Sequence, residues 1–435
     1  MPAKLVIGLQ WGDEGKGKVV DNLVHDWADV CVRYQGGPNA GHTIYDAEGN
    51  KHVTHALPSG VLKKNCINII AKGCVVNPIS LYDEMKQYPE AHLQISDQCP
   101  LILPHHIIWD RFKYQDKIGT TAKGIGPAYS EYIARDNKTL FDLCYNFDEV
   151  KEYVMTKLLK MSTFEAGEHF DSIFDEYLNT DNFYLCSIKP DSMQPKAFMP
   201  RKIEEFLNNE YFVKLKSVAN VLKRMLINSD QKIQELYHEQ KNIILEGAQG
   251  WGLDVWGRSY PNVTSSSPNI GGVLTTTGLN HKQIDEVIGI VKIYKSKVGE
   301  GLHSTESHMI DHVYDIDEIR QDLGEFGATT GRPRRLGWLN LDEIKAACQV
   351  NGIDRIVITR LDSMPKIINN QHTFYVLHNQ GYLQYQNWLD SKTFNTGAEF
   401  LQQEEIQFFL KEFKELTGVQ NVSVSYGPGR YELQW

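Results

Sequence analysis

Residues 5–18, LVIGLQWGDEGKGK, constrain the fold of this chain more than any other segment. They begin with an apolar run that has the length and composition of a buried parallel strand. Gly12, Gly15 and Gly17 then mark a turn, and beyond it apolar residues recur at helical spacing: Val19, Val20, Leu23, Val24 and Trp27. A strand, a glycine turn and a helix in this order present backbone N–H groups and a helix N-terminus to phosphate oxygens. The segment therefore predicts a phosphate-binding loop in an α/β fold.

The loop itself, residues 12–18, matches the G-x-x-x-x-G-K part of the phosphate-loop pattern but lacks the Ser or Thr that should follow. Val19 stands where that hydroxyl would bind magnesium, and Asp13 is the obvious replacement ligand. A carboxylate in a phosphate loop repels an anionic ligand unless a cation lies between them or the carboxylate takes part in proton chemistry. The alternative is an ordinary solvent-facing glycine turn.

Length and composition place the chain among ordinary globular proteins. Its 435 residues could form about two or three domains on length alone, and hydrophobic residues at 41% and charged residues at 23% are typical values. The formal net charge of −10 argues against non-specific nucleic-acid binding, which needs a basic face. It leaves room for anionic substrates, because a local arginine cluster can reverse the field inside a cleft.

Cysteine usage and the N-terminal residues indicate the compartment. The 7 cysteines are scattered and never spaced as C-x-x-C, which is typical of buried thiols in a reducing environment and not of disulfides or a zinc site. The first residues, MPAKLVIG, lead straight into the predicted strand, so we expect no signal peptide. No apolar run reaches about 18 residues, so we expect no membrane span. These features predict a cytoplasmic protein.

A second strand, residues 30–34, leads to another glycine loop that ends at His42. Two such loops suggest that the carboxyl ends of neighbouring parallel strands meet around one ligand. His42 can donate a proton near neutral pH, although a lone histidine is more often structural. His105 and His106 attract less attention, because adjacent residues in a regular element point apart.

Further elements follow from composition and periodicity. The Gly- and Thr-rich residues 118–129 predict a ligand-binding loop, with a plain surface loop as the alternative. From about residue 148 to 236 the pattern is helical and suggests an insertion that packs onto the sheet. The remaining strands are predicted at residues 67–76, 242–245, 287–294, 355–359 and 422–425, and helices at 78–88, 339–350 and 399–416.

Two polar segments near the C-terminal half have the chemistry of binding sites. Arg332, Arg334 and Arg335 stand beside two threonines, and arginine forks pair bidentately with carboxylates and phosphates. Asp362 follows a predicted strand and could accept both the N1–H and the N2–H₂ of guanine, a pairing that adenine cannot make. The alternatives are a solvated basic loop for the arginines and a helix cap for the aspartate.

Taken together, these segments resemble the adenylosuccinate synthetase family from the first strand to the last. The matching motifs occur in the family's order: QWGDEGKGK (10–18), RYQGGPNAGH (33–42), GTTAKGIGPAY (119–129), EGAQG (246–250), VTSS (263–266), FGATTGRPRR (326–335) and TRLD (359–362). The resemblance implies an α/β fold with a mostly parallel central sheet, helices on both faces and a phosphate-loop-like first βα unit. Small β-hairpin additions and a mainly helical insertion around residues 148–240 belong to one domain over residues 1–435.

The resemblance also implies an activity, the GTP-dependent ligation of L-aspartate to inosine 5′-monophosphate (IMP) through a 6-phosphoryl intermediate. The products are adenylosuccinate, GDP and phosphate, as in de novo and salvage AMP synthesis. One Mg²⁺ per subunit and a homodimer are expected, without nucleic-acid or membrane partners.

Two catalytic residues follow from the resemblance. Asp13 is expected to remove the N1 proton of the hypoxanthine and to bind magnesium, with the Gly41 carbonyl as a second ligand. His42 is expected to be the acid that assists phosphoryl transfer. The chemistry is consistent, because deprotonated N1 places charge on O6, which can attack the γ-phosphate while magnesium neutralises the transferring group.

The resemblance implies the remaining contacts position by position. GTP is expected to contact Gly12, Asp13, Glu14, Gly15, Lys16, Gly17, Lys18, Gly41, His42 and Arg334, with Arg360, Leu361, Asp362, Ser425, Tyr426 and Gly427 around the guanine. IMP is expected to contact Asp13, Lys16, Asn39, Ala40, Gly41, His42, Thr121, Gln249, Thr264 and Arg332, with Arg135 reaching its phosphate from a neighbouring subunit. The residues expected around aspartate are Ala328, Thr329, Thr330, Gly331, Arg332, Pro333 and Arg334.

The chain departs from the usual family pattern at Pro38 (for histidine), Arg360 (for lysine), Pro333 (for arginine) and residues 251–261, WGLDVWGRSYP. None of these changes removes an assigned catalytic group. Two alternatives stay open: a viral-type relative that aminates a guanine nucleotide, and a guanine-nucleotide-binding module without turnover. Viral-type relatives typically lack the carboxylate at the position of Asp13, and the intact pair of Asp13 and His42 argues against a binding module.

Overall fold

The computed structural model describes residues 3–46, 48–118, 120–161, 207–313, 315–327, 331–368, 373–386, 397–427 and 429–435. Its strands are β1 Ala3–Gly8, β2 Val30–Arg33, β3 His42–Tyr45, β4 Lys51–Thr54, β5 Ile67–Ile70, β6 His92–Ser96, β7 Leu226–Ile227, β8 Ile243–Glu246, β9 Glu286–Lys292, β10 Lys295–Lys297, β11 Arg335–Gly337, β12 Leu339–Asn340, β13 Arg355–Thr359, β14 Thr373–His378, β15 Gly381–Gln386, β16 Asn421–Ser425 and β17 Leu433–Gln434. Its α-helices are α1 Lys16–Asp26, α2 Pro78–Met85, α3 Pro104–Ile118, α4 Ile125–Ile133, α5 Leu140–Tyr145, α6 Phe147–Lys160, α7 Phe212–Leu222, α8 Ser229–His238, α9 Ile270–Thr276, α10 Glu306–His312, α11 Ile316–Leu323, α12 Leu341–Asn351, α13 Met364–Ile368, α14 Gly397–Leu401 and α15 Glu404–Thr417.

The central sheet has the strand order β17-β16-β13-β9-β1-β8-β2-β5-β6-β7. Its neighbouring strands pair in parallel, apart from the antiparallel edge pair of β16 and β17. The smaller sheets are the hairpin β3–β4, the pair β10–β11 and the group β12-β14-β15. These features confirm the predicted α/β fold with a mostly parallel central sheet.

Helices cover both faces of this sheet because its strands are apolar on both sides. On β1, Leu5 and Ile7 belong to a large buried cluster that also contains Ile344 of α12 and Phe409 of α15. Val6 points the opposite way, into a second cluster with residues of α1: Val19, Val20, Leu23 and Val24. The alternation along β1 therefore places α1, and the glycine loop before it, at a fixed position over the sheet.

The two glycine loops do not follow adjacent strands. β8 lies between β1 and β2, with Leu245 paired to Leu5 on one side and to Val32 on the other. The expectation of neighbouring strands is therefore wrong, because a strand from far along the chain inserts between them. The carboxyl end of β8 carries the EGAQG segment, so three loops meet at this edge of the sheet.

In the region predicted as a helical insertion, the described residues are mainly helical, in α6, α7 and α8. The short strand β7 between α7 and α8 extends the central sheet by pairing with β6. Residues 162–206 lie outside the described residues, so the single-domain organisation stays a prediction. None of the helices in the described ranges combines the length and apolar composition that a bilayer crossing requires.

Three local expectations are wrong. The segment 118–129 is not all loop, because α4 starts within it at Ile125, after Gly124 turns the backbone at φ +75°. His105 and His106 do not point apart: their Nε2 atoms lie 3.2 and 2.8 Å from the same carboxylate oxygen of Glu131. The Leu103 backbone N–H donates to Nδ1 of His106 and turns that ring back over the helix start. The predicted helix 399–416 is also interrupted, because α14 ends at Leu401 and α15 begins at Glu404.

Candidate active site

The loop after β1 is shaped by left-handed backbone at Gly12, Asp13 and Gly15, whose φ angles are +90°, +59° and +94°. Glu14 is buried, and its carboxylate accepts hydrogen bonds from the backbone N–H of Gly12 at 2.8 Å and from Lys16 Nζ at 2.6 Å. The Glu14 carboxylate therefore stabilises the turn by hydrogen bonds within the loop, and α1 begins at Lys16. Asp13 is left pointing outward, with 34% of its side chain exposed.

The loops after β1, β2 and β8 line a cleft of about 1410 Å³, together with residues from 110–133, 253–265, 296–300, 324–334 and 359–362 and the end of β16. Pockets for one small molecule are typically about 300–1,000 Å³, so this cleft is large enough for more than one substrate. The predicted site residues that line it are Gly12, Asp13, Glu14, Gly15, Lys16, Gly17, Lys18, Asn39, Ala40, Gly41, His42, Thr121, Gln249, Thr264, Arg332, Arg334, Arg360, Asp362, Ser425 and Gly427.

His42 is positioned by a hydrogen bond to Glu246, the last residue of β8. Nδ1 of His42 donates to Oε1 of the fully buried Glu246, and the other carboxylate oxygen, Oε2, accepts from the Ser59 backbone N–H at 2.8 Å. Burial raises the pKa of Glu246, but attraction to His42 and the hydrogen bonds from His42 and Ser59 outweigh it and lower this pKa to about 2. With Nδ1 engaged, the ring has Nε2 available for a ligand in the cleft.

Asp13 forms an ion pair with Arg334. The two groups approach to 2.8 Å, and the same guanidinium donates to buried Glu325 at 2.7 Å. Glu325 also accepts from Lys292 Nζ at 3.0 Å and from the Tyr294 hydroxyl. Burial raises the pKa of Glu325, but attraction to Lys292 and Arg334 lowers it to about 2. A buried charge network thus connects the first loop to residues 331–334, called the arginine loop from here on.

Lys18 lies at the other end of the first loop, beside the C-terminal strand. Its ammonium donates to Ser425 Oγ at 2.7 Å, to the Gly427 carbonyl at 2.5 Å and to the Glu432 carbonyl at 2.9 Å. Burial lowers the pKa of Lys18 to about 8. Lys18 therefore connects the first loop to residues 425–432 at this side of the cleft. Asp362 also lines the cleft, and burial raises the pKa of its carboxyl group.

Some predicted residues lie elsewhere in the structure. Leu361 is fully buried in the core, and Tyr426, Gly331 and Pro333 are not among the residues that line the cleft. Arg135 is exposed at the end of α4 and does not line the cleft of its own chain. The expected aspartate contacts Ala328, Thr329 and Thr330 lie outside the described residues.

Three functional neighbours escaped the sequence patterns. Glu246 had a signal, since it is a carboxylate that ends the apolar strand β8 inside the EGAQG motif. Glu325 and Lys292 had none, because nothing in the linear sequence pairs residues that are 33 positions apart. Their role emerges only where strands β9 and β10 approach the arginine loop.

Comparison with known proteins identifies the family. The model described as adenylosuccinate synthetase matches residues 5–434. The chain is similar to the adenylosuccinate synthetase of Alteromonas mediterranea, at 36% identity over 461 aligned positions that cover 98% of this chain and 96% of the relative. It is similar to that of Halothermothrix orenii at 38% identity over 372 positions, covering 83% of this chain and 78% of the relative.

Solved structures agree with these matches. The fully ligated adenylosuccinate synthetase from Plasmodium falciparum superimposes with a TM-score of 0.74 at 26% identity, covering 99% of this chain and 98% of that one. The succinoaminodeoxyadenylate synthetase of cyanophage S-2L shares the fold, with a TM-score of 0.59 at 15% identity. The family match over residues 5–434 and the curated relatives together show that this chain belongs to the adenylosuccinate synthetase family.

Proposed function

We propose that the cleft around Asp13 and His42 is the active site for the GTP-dependent ligation of L-aspartate to IMP. As a member of its family, the chain is a ligase of purine biosynthesis that uses GTP, IMP and aspartate and forms adenylosuccinate, GDP and phosphate. One observation carries the assignment: Asp13 and His42 line the same cleft. Arg334 orients Asp13, and Glu246 orients His42.

The proposed chemistry begins at Asp13. Its carboxylate accepts the N1 proton of the hypoxanthine, and the resulting charge on O6 makes this oxygen the nucleophile that attacks the γ-phosphate of GTP. His42 donates a hydrogen bond from Nε2 to the transferring group, while Glu246 holds Nδ1. The bond from O6 to phosphorus forms as the bond to GDP breaks. The amine of aspartate then attacks C6, and phosphate leaves.

The residues present fit a magnesium ion. Asp13 has a carboxylate and Gly41 a backbone carbonyl, and both residues line the cleft. Mg²⁺ prefers oxygen ligands supplied by one or two carboxylates together with substrate phosphates. We propose that Asp13 and Gly41 hold one such ion per subunit. When bound, it would neutralise charge on the phosphates of GTP.

Substrate contacts are proposed from the lining of the cleft. The GTP phosphates are bound by the first loop, Gly41, His42 and Arg334. The guanine is bound by Arg360 and Asp362. Gln249 Nε2 donates to Asn39 Oδ1 at 3.4 Å, and both residues line the cleft together with Thr121 and Thr264, which supports the proposed IMP site. Arg332 and the loop around it serve aspartate.

We also propose a homodimer in which Arg135 completes the neighbouring site. The side chain of Arg135 makes no hydrogen bond or ion pair within the described part of the chain, since Glu131 is taken by His105, His106, Tyr153 and Lys157. Two residues earlier, Ile133 also lines the cleft and is 76% exposed, an apolar surface of the kind that interfaces cover. A reducing cytoplasm is the proposed compartment, supported by free thiols at Cys31, Cys66, Cys74, Cys99, Cys144 and Cys348.

One assay tests the proposed function directly. Purified protein is mixed with GTP, magnesium, aspartate and IMP, and the absorbance change of adenylosuccinate formation is followed. We expect turnover that requires every component. Amination of a guanine nucleotide in place of IMP would support the viral-type activity, and GTP binding without aspartate-dependent phosphate release would indicate a binding module.

A further inference from the structure

Three lysines on β9 and β10 are almost completely buried: Lys292, Lys295 and Lys297, with exposures of 2%, 1% and 2%. Two of them have carboxylate partners, since Lys292 pairs with Glu325 at 3.0 Å and Lys295 with Glu343 at 2.9 Å. A buried ammonium normally needs such a partner, because removing an isolated charge from water costs several kcal/mol.

Lys297 differs from its two neighbours. Its Nζ makes no hydrogen bond and no ion pair within the described part of the chain, yet the residue lines the cleft. The ammonium packs against the backbone of Gly301, where a Cβ would lie 3.0 Å from Nζ. Burial, together with the nearby cations Arg335 and Lys295, lowers the pKa of Lys297 to about 8.

The nearby acidic groups are engaged elsewhere or exposed. Glu343 receives both Lys295 and the Ser304 hydroxyl, and Glu306 is paired with Arg335. Glu300 is an exposed residue at the rim of the cleft and forms no ion pair with Lys297. Among the described residues, the carboxylates near the Lys297 ammonium are thus paired with other cations or exposed, which leaves its counter-charge to come from the cleft.

The position of Lys297 places it between two substrate loops. In the β10–β11 pair it lies opposite Arg335, the residue that directly follows the arginine loop proposed for aspartate. On its other side, Asn262 and Lys297 both lie against Gly301, and Asn262 leads to Thr264, which is proposed to contact IMP. Segments proposed to contact each substrate therefore lie on both sides of Lys297, which itself lines the cleft.

We propose that Lys297 binds an anionic oxygen of a substrate in the cleft, either a carboxylate of aspartate or the phosphate of the nucleotide. The inference rests on the proposed function and adds a binding residue to it. A charge-assisted contact of this kind is typically worth about 10- to 100-fold in affinity. Lys297 takes no part in the chemical step, so substituting it should raise KM by a larger factor than it lowers kcat.

The test compares Lys297→Met with a matched control, Lys295→Met, which removes a buried lysine of the same strand that does not line the cleft. In Lys297→Met, we expect the KM of one substrate to rise about 10- to 100-fold. A rise for aspartate identifies the carboxylate, and a rise for IMP identifies the phosphate. Lys297→Arg keeps the charge and should recover most of the affinity, whereas Lys295→Met should leave all three KM values within about twofold of wild type.

Thermal unfolding of the substrate-free proteins adds a readout that a structural lysine would not give. Removing an unpaired buried charge should leave the Tm of Lys297→Met equal to or above that of wild type, while Lys295→Met should lower it by leaving Glu343 unpaired. A lower Tm for Lys297→Met would mean that its ammonium has a structural partner, and would overturn the inference. Unchanged KM values in folded Lys297→Met would overturn it as well.

Failure of this inference can be told apart from failure of the proposed function. The wild-type protein is assayed first, and absence of adenylosuccinate formation there contradicts the proposed function. Turnover in wild type with normal KM values in Lys297→Met contradicts only the role of Lys297. Calorimetric titration of both proteins with IMP gives the phosphate comparison independently of turnover.

Discussion

The guanidinium of Arg334 lies 2.8 Å from the carboxylate of Asp13 and connects the first glycine loop to the arginine loop. The contact neutralises the one carboxylate that a phosphate loop would otherwise aim at its anionic ligand. It also joins Asp13 to the buried Glu325, so the position of the proposed base depends on a residue from the opposite wall of the cleft.

Asp13→Asn should abolish most turnover while preserving GTP binding. The amide keeps the size and one oxygen of the side chain but cannot accept the N1 proton, and loss of a general base typically costs about 10²–10⁴ in rate. The measurement is kcat beside a direct GTP titration of the same preparation. A near-normal kcat would exclude Asp13 as the base.

His42→Ala should lower kcat more than it raises the KM for GTP, because the proposed hydrogen bond forms to the transferring phosphoryl group. Glu246→Gln should lower kcat in the same direction but less, since the ring remains and only its anchor at Nδ1 weakens. Steady-state kinetics of both variants gives the comparison. An effect limited to KM would leave His42 with a binding role alone.

The free energy of unfolding should decrease at low pH because Glu246 and Glu325 become protonated. Both have a pKa of about 2 in the folded protein against an ordinary value of 4.5, so they bind protons more readily when unfolded. Their contribution is therefore present above about pH 4.5 and is lost as the pH falls towards 2. Urea unfolding across this range should show a steady decline, with a shallower slope for Glu325→Gln. Constant stability between these pH values would contradict the argument.

Asp362→Asn should exchange the nucleotide preference. A carboxylate accepts two donors of guanine, whereas the amide offers a donor that suits the C2 carbonyl of xanthine. We expect weaker use of GTP and new use of xanthosine triphosphate, measured as kcat/KM for each. The matched control is Asp342→Asn, an aspartate outside the cleft that contacts His378. Unaltered GTP use by Asp362→Asn would mean that the base is recognised elsewhere.

Mixing two inactive variants should restore activity if Arg135 is shared across a two-fold dimer. In hybrids of Asp13→Ala and Arg135→Leu, one site carries both changes and the other carries neither. Random pairing makes about half of the dimers hybrids, so activity should return to about a quarter of wild type. Subunit exchange is verified by mass spectrometry of tagged chains. A mixture that stays inactive after exchange would place Arg135 in its own site or in none.

Local pattern was sufficient for the elements that surround the first loop. β1 and α1 were predictable because their apolar residues repeat at the strand and helix periods, and the glycines between them permit the left-handed backbone seen at Gly12 and Gly15. The motifs also identified Asp13, His42, Arg334 and Asp362 as candidates, and the fold brings all of them to one cleft.

Only the tertiary structure decided what holds these side chains in place. His42 and Glu246 are separated by 204 positions, and β8 brings them together by inserting between β1 and β2. The same is true of Glu325, which contacts Arg334, and of Lys297, which lines the cleft and has no hydrogen-bond partner among the described residues. The sequence determines which strands and loops form, because those depend on neighbouring residues. Strand order and buried charge pairs depend on packing between distant segments, and that packing exists only in the folded chain.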